Sequence, residues 1–395
     1  MNRLVVVAVA LVSIAACSSD LSGDGEGANE VNTSATDGGI GATDGEGAEQ
    51  EPDAEGSQGT APIDETLPDD DTAGQDLPDD GDGTGGTTDG TSEASSLVSE
   101  GCIDGDYSEV LPTPEVSIEA EVQGYSAGAY MDFISTVLEK RYPLGAFLIE
   151  NALLDQSMGH CVDAFLSQKN TAEQVIRSMS TLVHECGHFL DISTGGFFSD
   201  AYVINESLTL TCSGGSTPSN GGGKTFSRSL ITGDEYSALW PPCASFGSGG
   251  ECDSYAPIYL NGDPNDATFD SGDQGFGSVL EEVVQYVNSL ATGYAFNDFY
   301  SGSTSERDGI LTFLWYMQRY LRMARLDYPD TYNHLVGDSC WREAILTAWG
   351  RAWMFLLLTE EYPQLGLRDA ILEPLALDPD LNAEIQRVRE AHGCQ

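Results

Sequence analysis

Positive charge is scarce in this chain of 395 residues: Lys and Arg number 16 against 64 Asp and Glu, a formal net charge of −48. Such a deficit of bases argues against a nucleic-acid partner, because phosphates demand basic patches. Histidine is scarcer still, at five residues, so a pair at a purposeful spacing is hard to credit to accident. Long apolar runs are lacking too. Leu4 to Ala16 falls short of the roughly 20 residues a spanning helix needs, and Trp353 to Leu358 is shorter and reads as core. No Cys-x-x-Cys pair occurs, which disfavours a Cys–His zinc finger. Between residues 18 and 98 there is no aromatic residue, no Lys and no Arg. A stretch of that composition cannot bury enough surface to offset chain entropy, and its charges hold it extended.

Those absences divide the chain. Of the 64 acidic residues 23 fall within 18–100, and of the 16 basic ones only Arg3 precedes residue 101. Residues 101–395 therefore hold 41 acids and 15 bases, a net of −26, so the folded part is acidic as well. At the N-terminus, Met1-Asn2-Arg3 is a short positive region before the apolar Leu4–Ala16. This is a targeting segment and leaves the fold argument. Ile14-Ala15-Ala16-Cys17 resembles the lipobox of bacterial lipoproteins. That resemblance implies cleavage before Cys17, lipidation of Cys17, and a place in the bacterial cell envelope. The expected organisation is a signal peptide 1–16, a disordered acidic tether 17–98, a segment 99–275 and a helical lobe 276–395.

With Cys17 set aside, eight cysteines remain: 102, 161, 186, 212, 243, 252, 340 and 394. An even number in an exported chain suggests up to four disulfides, with 105 possible connectivities. Cys243 and Cys252 can close a small loop, and Cys394 can staple the tail. The pattern predicts a strand over Val116–Val122, then helices over Ala127–Arg141, Leu144 to about Leu153 and Cys161–Gln168. A longer helix over Ala172–Ile192 is opened by the capping box Thr171-Ala-Glu-Gln174. From Gly195 to about Gly262 the texture turns to Gly, Ser and aromatics, with strands expected at Ala201–Ile204, Ser207–Cys212 and Tyr255–Leu260. The loop Asn261–Asp273 is acidic but lacks EF-hand spacing and reads as a solvated turn. Beyond Gly277 the periodicity is helical, including Gly309–Leu326 and Trp341–Leu358.

Inside the long helix lies Thr181-Leu182-Val183-His184-Glu185-Cys186-Gly187-His188-Phe189-Leu190-Asp191. Positions four apart share a helix face, so His184 and His188 can grip one metal ion. Glu185 follows the first ligand and can serve as general base to a metal-activated water. The flanking residues are uncharged, as a buried helix requires. Cys186 points away from the His184/His188 face and reads as structural. Asp191 lies seven residues after His184 on the same stripe. It could orient a ligand imidazole, approach the metal itself, or turn to solvent.

His-Glu-x-x-His resembles the active-site helix of zinc metallopeptidases, the zincins. The metzincin pattern fails, because Asp191 and Thr194 stand where Gly and His or Asp would be needed, and Thr232-Gly-Asp234 only loosely echoes an aspzincin. Glu281-Glu282-Val-Val-Gln285-Tyr286 resembles the second helix of the gluzincins, the thermolysin class. That resemblance implies Zn2+ as cofactor, held by His184, His188 and Glu281, with Glu206 and Glu282 as alternatives for the third place. The 92 residues between His188 and Glu281 would require an inserted subdomain. It further implies an α+β, zincin-like fold with an active-site helix, a β-rich insertion and a mostly helical C-terminal lobe. The implied activity is a membrane-tethered metallopeptidase acting on a peptide or protein substrate, with Glu185 moving the proton. Oxyanion donors implied on the helical lobe are His334, Tyr286 or Tyr294. Another zinc-dependent hydrolase and a non-catalytic lipoprotein binding module remain as alternatives.

Overall fold

The structure, a computed structural model, describes residues 97–394 apart from 156, 158, 197–198, 214–239, 242, 244–251 and 260–274. The expected signal segment, the Cys17 anchor, the tether up to residue 96, and the acidic loop Asn261–Asp273 lie outside the described residues. Among the described residues no helix is long and apolar enough to cross a membrane.

The described chain is mostly helical with one small sheet. It runs through α1 (Ile103–Asp106), α2 (Glu119–Gln123), α3 (Tyr130–Arg141), α4 (Pro143–Ala152), α5 (Cys161–Phe165), α6 (Ala172–Arg177) and α7 (Met179–Gly195). The strands β1 (Ser199–Asn205) and β2 (Leu208–Ser213) follow, then the short α8 (Ala256–Tyr259). The remainder is α9 (Gly275–Ala295), α10 (Glu306–Asp327), α11 (Pro329–Gly337), α12 (Ser339–Leu358), α13 (Asp369–Ala376) and α14 (Pro379–His392).

Local chemistry explains most boundaries. The Thr171 hydroxyl accepts from the Gln174 backbone N–H while the Gln174 side chain accepts from that of Thr171, the reciprocal capping expected there. It opens a short helix, however. Ser178 interrupts the expected Ala172–Ile192 helix, its hydroxyl donating back to the Gln174 carbonyl, so α6 ends and α7 begins at Met179. Asp338 caps α12 through the Cys340 N–H. Asp378 caps α14 beside Pro379, and Gly393 ends α14 in the left-handed region at φ +94.

Two expected strands are absent. Val116–Val122 holds the helix α2, and the described part of Tyr255–Leu260 holds α8. Neither has a strand beside it to complete a ladder among the described residues, and in α8 the Asp253 carboxylate takes up the first N–H groups. The other two expected strands form and pair as an antiparallel hairpin, β1 and β2, with Tyr202 opposite Leu210 and Asp200 opposite Cys212. In β2, Leu210 and Cys212 are buried while Thr209 and Thr211 face out, the period of two that marks a one-sided strand.

α9 is the axis of the described fold, packed against α7, α10 and α12. Its apolar residues, including Val279, Leu280, Val283, Val284, Val287 and Leu290, join one hydrophobic cluster that runs from Cys102 to Val388. α7 lies between α9 on one side and α4, α5 and β1 on others. Four disulfides form: Cys102–Cys394, Cys161–Cys186, Cys212–Cys340 and Cys243–Cys252. Cys394 does staple the tail, and Cys243 and Cys252 close a short loop. Cys186 is structural, tying the motif helix to α5. Buried ion pairs reinforce the closure: Arg389 bonds Asp104 at 2.7 Å, and Arg351 grips both carboxylate oxygens of Glu109 at 2.8 and 3.1 Å.

Candidate metal centre

Twelve of the thirteen residues of α7 from Met179 to Asp191, all but Thr181, are buried, which places His184, Glu185 and His188 in the interior. Burial of so many polar groups requires partners, and α9 supplies them. Glu282, Gln285 and Ser289 recur at intervals of three and four along α9 and form a polar stripe on an otherwise apolar helix. The two helices approach closely because residue 187 is glycine. A Cβ there would lie 1.9 Å from Gln285 Oε1.

At this crossing the Nε2 atoms of His184 and His188 stand 3.0 Å apart. Glu282 completes a triangle, with Oε2 3.4 Å from His184 Nε2 and Oε1 3.6 Å from His188 Nε2. Both imidazoles are aimed from behind. His184 Nδ1 meets the Ser289 hydroxyl at 2.9 Å, and His188 Nδ1 meets Glu281 Oε1 at 2.9 Å. A carboxylate can only accept, so Glu281 holds the proton of a neutral His188 on Nδ1 and turns the Nε2 lone pair toward His184 and Glu282. Two nitrogens and a carboxylate converging in this way form a group that could hold a metal ion. A tetrahedral zinc site with about 2.0–2.1 Å zinc–nitrogen bonds has ligand–ligand edges of about 3.3–3.4 Å; the two imidazole nitrogens lie 3.0 Å apart, and each has a different Glu282 oxygen within 3.6 Å.

The carboxylate that joins the two imidazoles in this group is that of Glu282, one residue beyond the expected Glu281. Neighbouring residues on a helix point about 100° apart, and the rotation of α9 brings Glu282 to the triangle while Glu281 reaches His188 from its outer side. Glu206 is exposed in the turn between β1 and β2 and does not approach the group. Asp191 takes none of the roles expected of it. It is buried, accepts from the Val203 N–H at 2.7 Å and from Gln285 Nε2 at 2.8 Å, and thereby ties the motif helix to β1 and α9.

No family model matches the chain. Neither a curated protein nor a solved structure matches it at a significant level.

The electrostatics favour positive charge at the centre of the triangle. Burial works against a charged His188, yet Glu282 and Glu281 outweigh it and hold the imidazole well above its usual pKa. Burial likewise opposes the Glu282 carboxylate, but His188 and His184 hold it well below the usual range. Asp191, by contrast, is pushed well up by burial and by the neighbouring Glu281 charge.

Of the three expected oxyanion donors, Tyr286 sits at the site. Its ring meets the His184 ring edge-on at 4.8 Å, and its hydroxyl is 2.5 Å from that of Tyr255. His334 bonds the Ser213 carbonyl at the end of β2, and Tyr294 packs edge-on against Tyr362. Sequence reasoning missed Ser289 and Tyr259, whose hydroxyl donates to Glu282 Oε1 at 2.5 Å. The stripe Glu282, Gln285, Asn288 and Ser289, polar positions at helical spacing inside an apolar run, was the signal that could have pointed to Ser289. Tyr259 had no such signal.

Proposed function

We propose that this chain is a zinc-dependent peptidase, using the His-Glu-x-x-His chemistry that its motif helix resembles. The convergence of His184, His188 and Glu282 supports the reading, because two neutral imidazoles and a carboxylate are the donor set of many hydrolytic zinc sites. Bound there, zinc would act as a Lewis acid and lower the pKa of water to near 7. Glu185 follows His184 on α7 and is buried beside the group. It accepts the proton of the attacking water and returns it to the leaving amine. The Tyr286 hydroxyl is the donor to the oxyanion that develops on the substrate carbonyl. Glu281 places the proton of a neutral His188 on Nδ1, and Ser289 and Glu281 together hold the two rings facing inward. Lipidation at Cys17 would hold the enzyme at the bacterial cell envelope.

The test is metal content and proteolysis of the purified protein, with casein and a peptide library as substrates. The parent is expected to carry near-stoichiometric zinc and to cleave, and the His184→Ala/His188→Ala double variant to carry none. Glu185→Gln is expected to keep the metal and lose about 10²–10⁴-fold in turnover, the usual worth of a positioned general base. A Glu185→Gln variant that cleaves at the parental rate refutes the mechanism. Zinc with hydrolysis of esters alone, or of nothing, removes the peptidase reading.

A further inference from the structure

A catalytic metal needs a coordination position left open for water, and a glutamate ligand can close it by binding through both oxygens. We propose that Tyr259 is a positioning residue that confines Glu282 to a single ligating oxygen, Oε2. This rests on the zinc reading above. Tyr259 Oη donates to Glu282 Oε1 at 2.5 Å, within the range of charge-assisted O–H···O− bonds. An oxygen accepting such a bond shares its negative charge with the phenol and is the poorer metal donor. Both oxygens face the imidazoles, Oε2 at 3.4 Å from His184 Nε2 and Oε1 at 3.6 Å from His188 Nε2, so the phenol engages the oxygen that a bidentate Glu282 would add.

The phenol is delivered by a braced segment. Tyr259 is 1% exposed, its ring meets Phe313 edge-on at 4.9 Å, and its carbonyl accepts from the Tyr320 hydroxyl at 2.8 Å. At the other end of α8, Asp253 Oδ1 accepts from the N–H groups of Tyr255 and Ala256 at 3.0 and 3.3 Å. The Cys243–Cys252 disulfide lies directly before it, and the backbone bonds Cys243 N–H to Asp253 carbonyl and Asp253 N–H to Pro241 carbonyl close the turn. A helix of one turn is marginal by itself, so these restraints are what set the phenol against Glu282.

Cobalt(II) in place of zinc reports coordination number directly, since four-coordinate cobalt absorbs visible light strongly and five- or six-coordinate cobalt weakly. The full chain loaded with Co2+ is expected to give the strong spectrum. Tyr259→Phe is expected to give the weak one, as Glu282 engages both oxygens, and to bind Co2+ about 10-fold less tightly, the low end for loss of a group that orients a ligand. Tyr320→Phe, which loosens the same helix without touching the phenol, is expected to keep the parental spectrum. A Tyr259→Phe spectrum and affinity equal to the parent's overturn the proposal while leaving the metal site standing. So does a Tyr320→Phe spectrum changed as much as that of Tyr259→Phe, because the effect is then general loosening. A parent that binds Co2+ with a weak spectrum overturns it without any variant, which covers a Tyr259→Phe chain that fails to fold. A parent that binds no Co2+ removes the metal reading and the proposal together.

Discussion

Gly187→Ala opposes two physical expectations at one atom. Judged by helix propensity alone, replacing glycine inside α7 should stabilise by about 1 kcal/mol. The structure demands the reverse. The new Cβ would fall 1.9 Å from Gln285 Oε1 and 2.6 Å from its Cδ, so the Gln285 side chain must leave. It has nowhere to go: it is fully buried, donates to Asp191 Oδ2 at 2.8 Å and accepts from Asn288 Nδ2 at 2.9 Å. Stranding these groups costs about 1–3 kcal/mol for each buried partner left unsatisfied. Forcing the helices apart adds about 1–3 kcal/mol of overpacking strain. Even after the propensity gain, a net loss of about 3 kcal/mol is expected, lowering the melting temperature by roughly 6–10 °C. Thermal unfolding of the metal-free protein with disulfides intact is the assay. Metal affinity should fall with it, because α9 carries Glu282 and cannot be displaced from α7 without moving the ligand. A Gly187→Ala protein that melts at or above the parental temperature refutes this account of the helix crossing.

Glu281 and Glu282 should separate cleanly by titration with zinc. Glu282→Gln removes a ligand and should abolish high-affinity binding, whereas Glu281→Gln leaves all three ligands and should weaken it by about 10–100-fold. Equal loss in both, or the reverse order, would return the third position to Glu281. Asp253 gives a pH signature, because burial pushes its carboxyl up to about 6 against the opposing bond from Tyr316 and the backbone N–H groups. With the folded pKa above the unfolded value of about 3.9, the native state binds the extra proton between those limits, so this group's contribution to stability falls as pH rises from about 4 to 6. The full change is on the order of 3 kcal/mol. Asp253→Asn should lack it, so the stability difference between parent and variant should shift by that amount between pH 4 and 7. A difference constant across that range sinks the assignment.

The long helices were legible because their periodicity reports which face is buried, and burial is what stabilises them. The strand β2 was legible from the alternation of Ser207–Cys212, and Cys243–Cys252 from proximity alone. Val116–Val122 misled because alternation promises a strand only where a partner strand completes the ladder. The Ala172–Ile192 helix was over-extended because Ser178 can bond its own helix backbone or end it, and sequence does not say which. At the site, His184, Glu185 and His188 were recoverable since their geometry lies within one helix, where a spacing of four fixes a shared face.

Alone, then, the sequence determined an acidic chain, its helical framework, and the two histidines and glutamate of α7. Tertiary structure decided the rest. Whether Glu281 or Glu282 faces the imidazoles depends on the rotation of α9 about its axis, which is set by Gln285 lying in the space that Gly187 leaves. Asp191 looked like a partner for an imidazole until β1 packed beside it and offered the Val203 N–H. Tyr259 reaches Glu282 from a one-turn helix whose position depends on Asp253, Tyr320 and a disulfide. None of these contacts is local in sequence, so no local pattern encodes them.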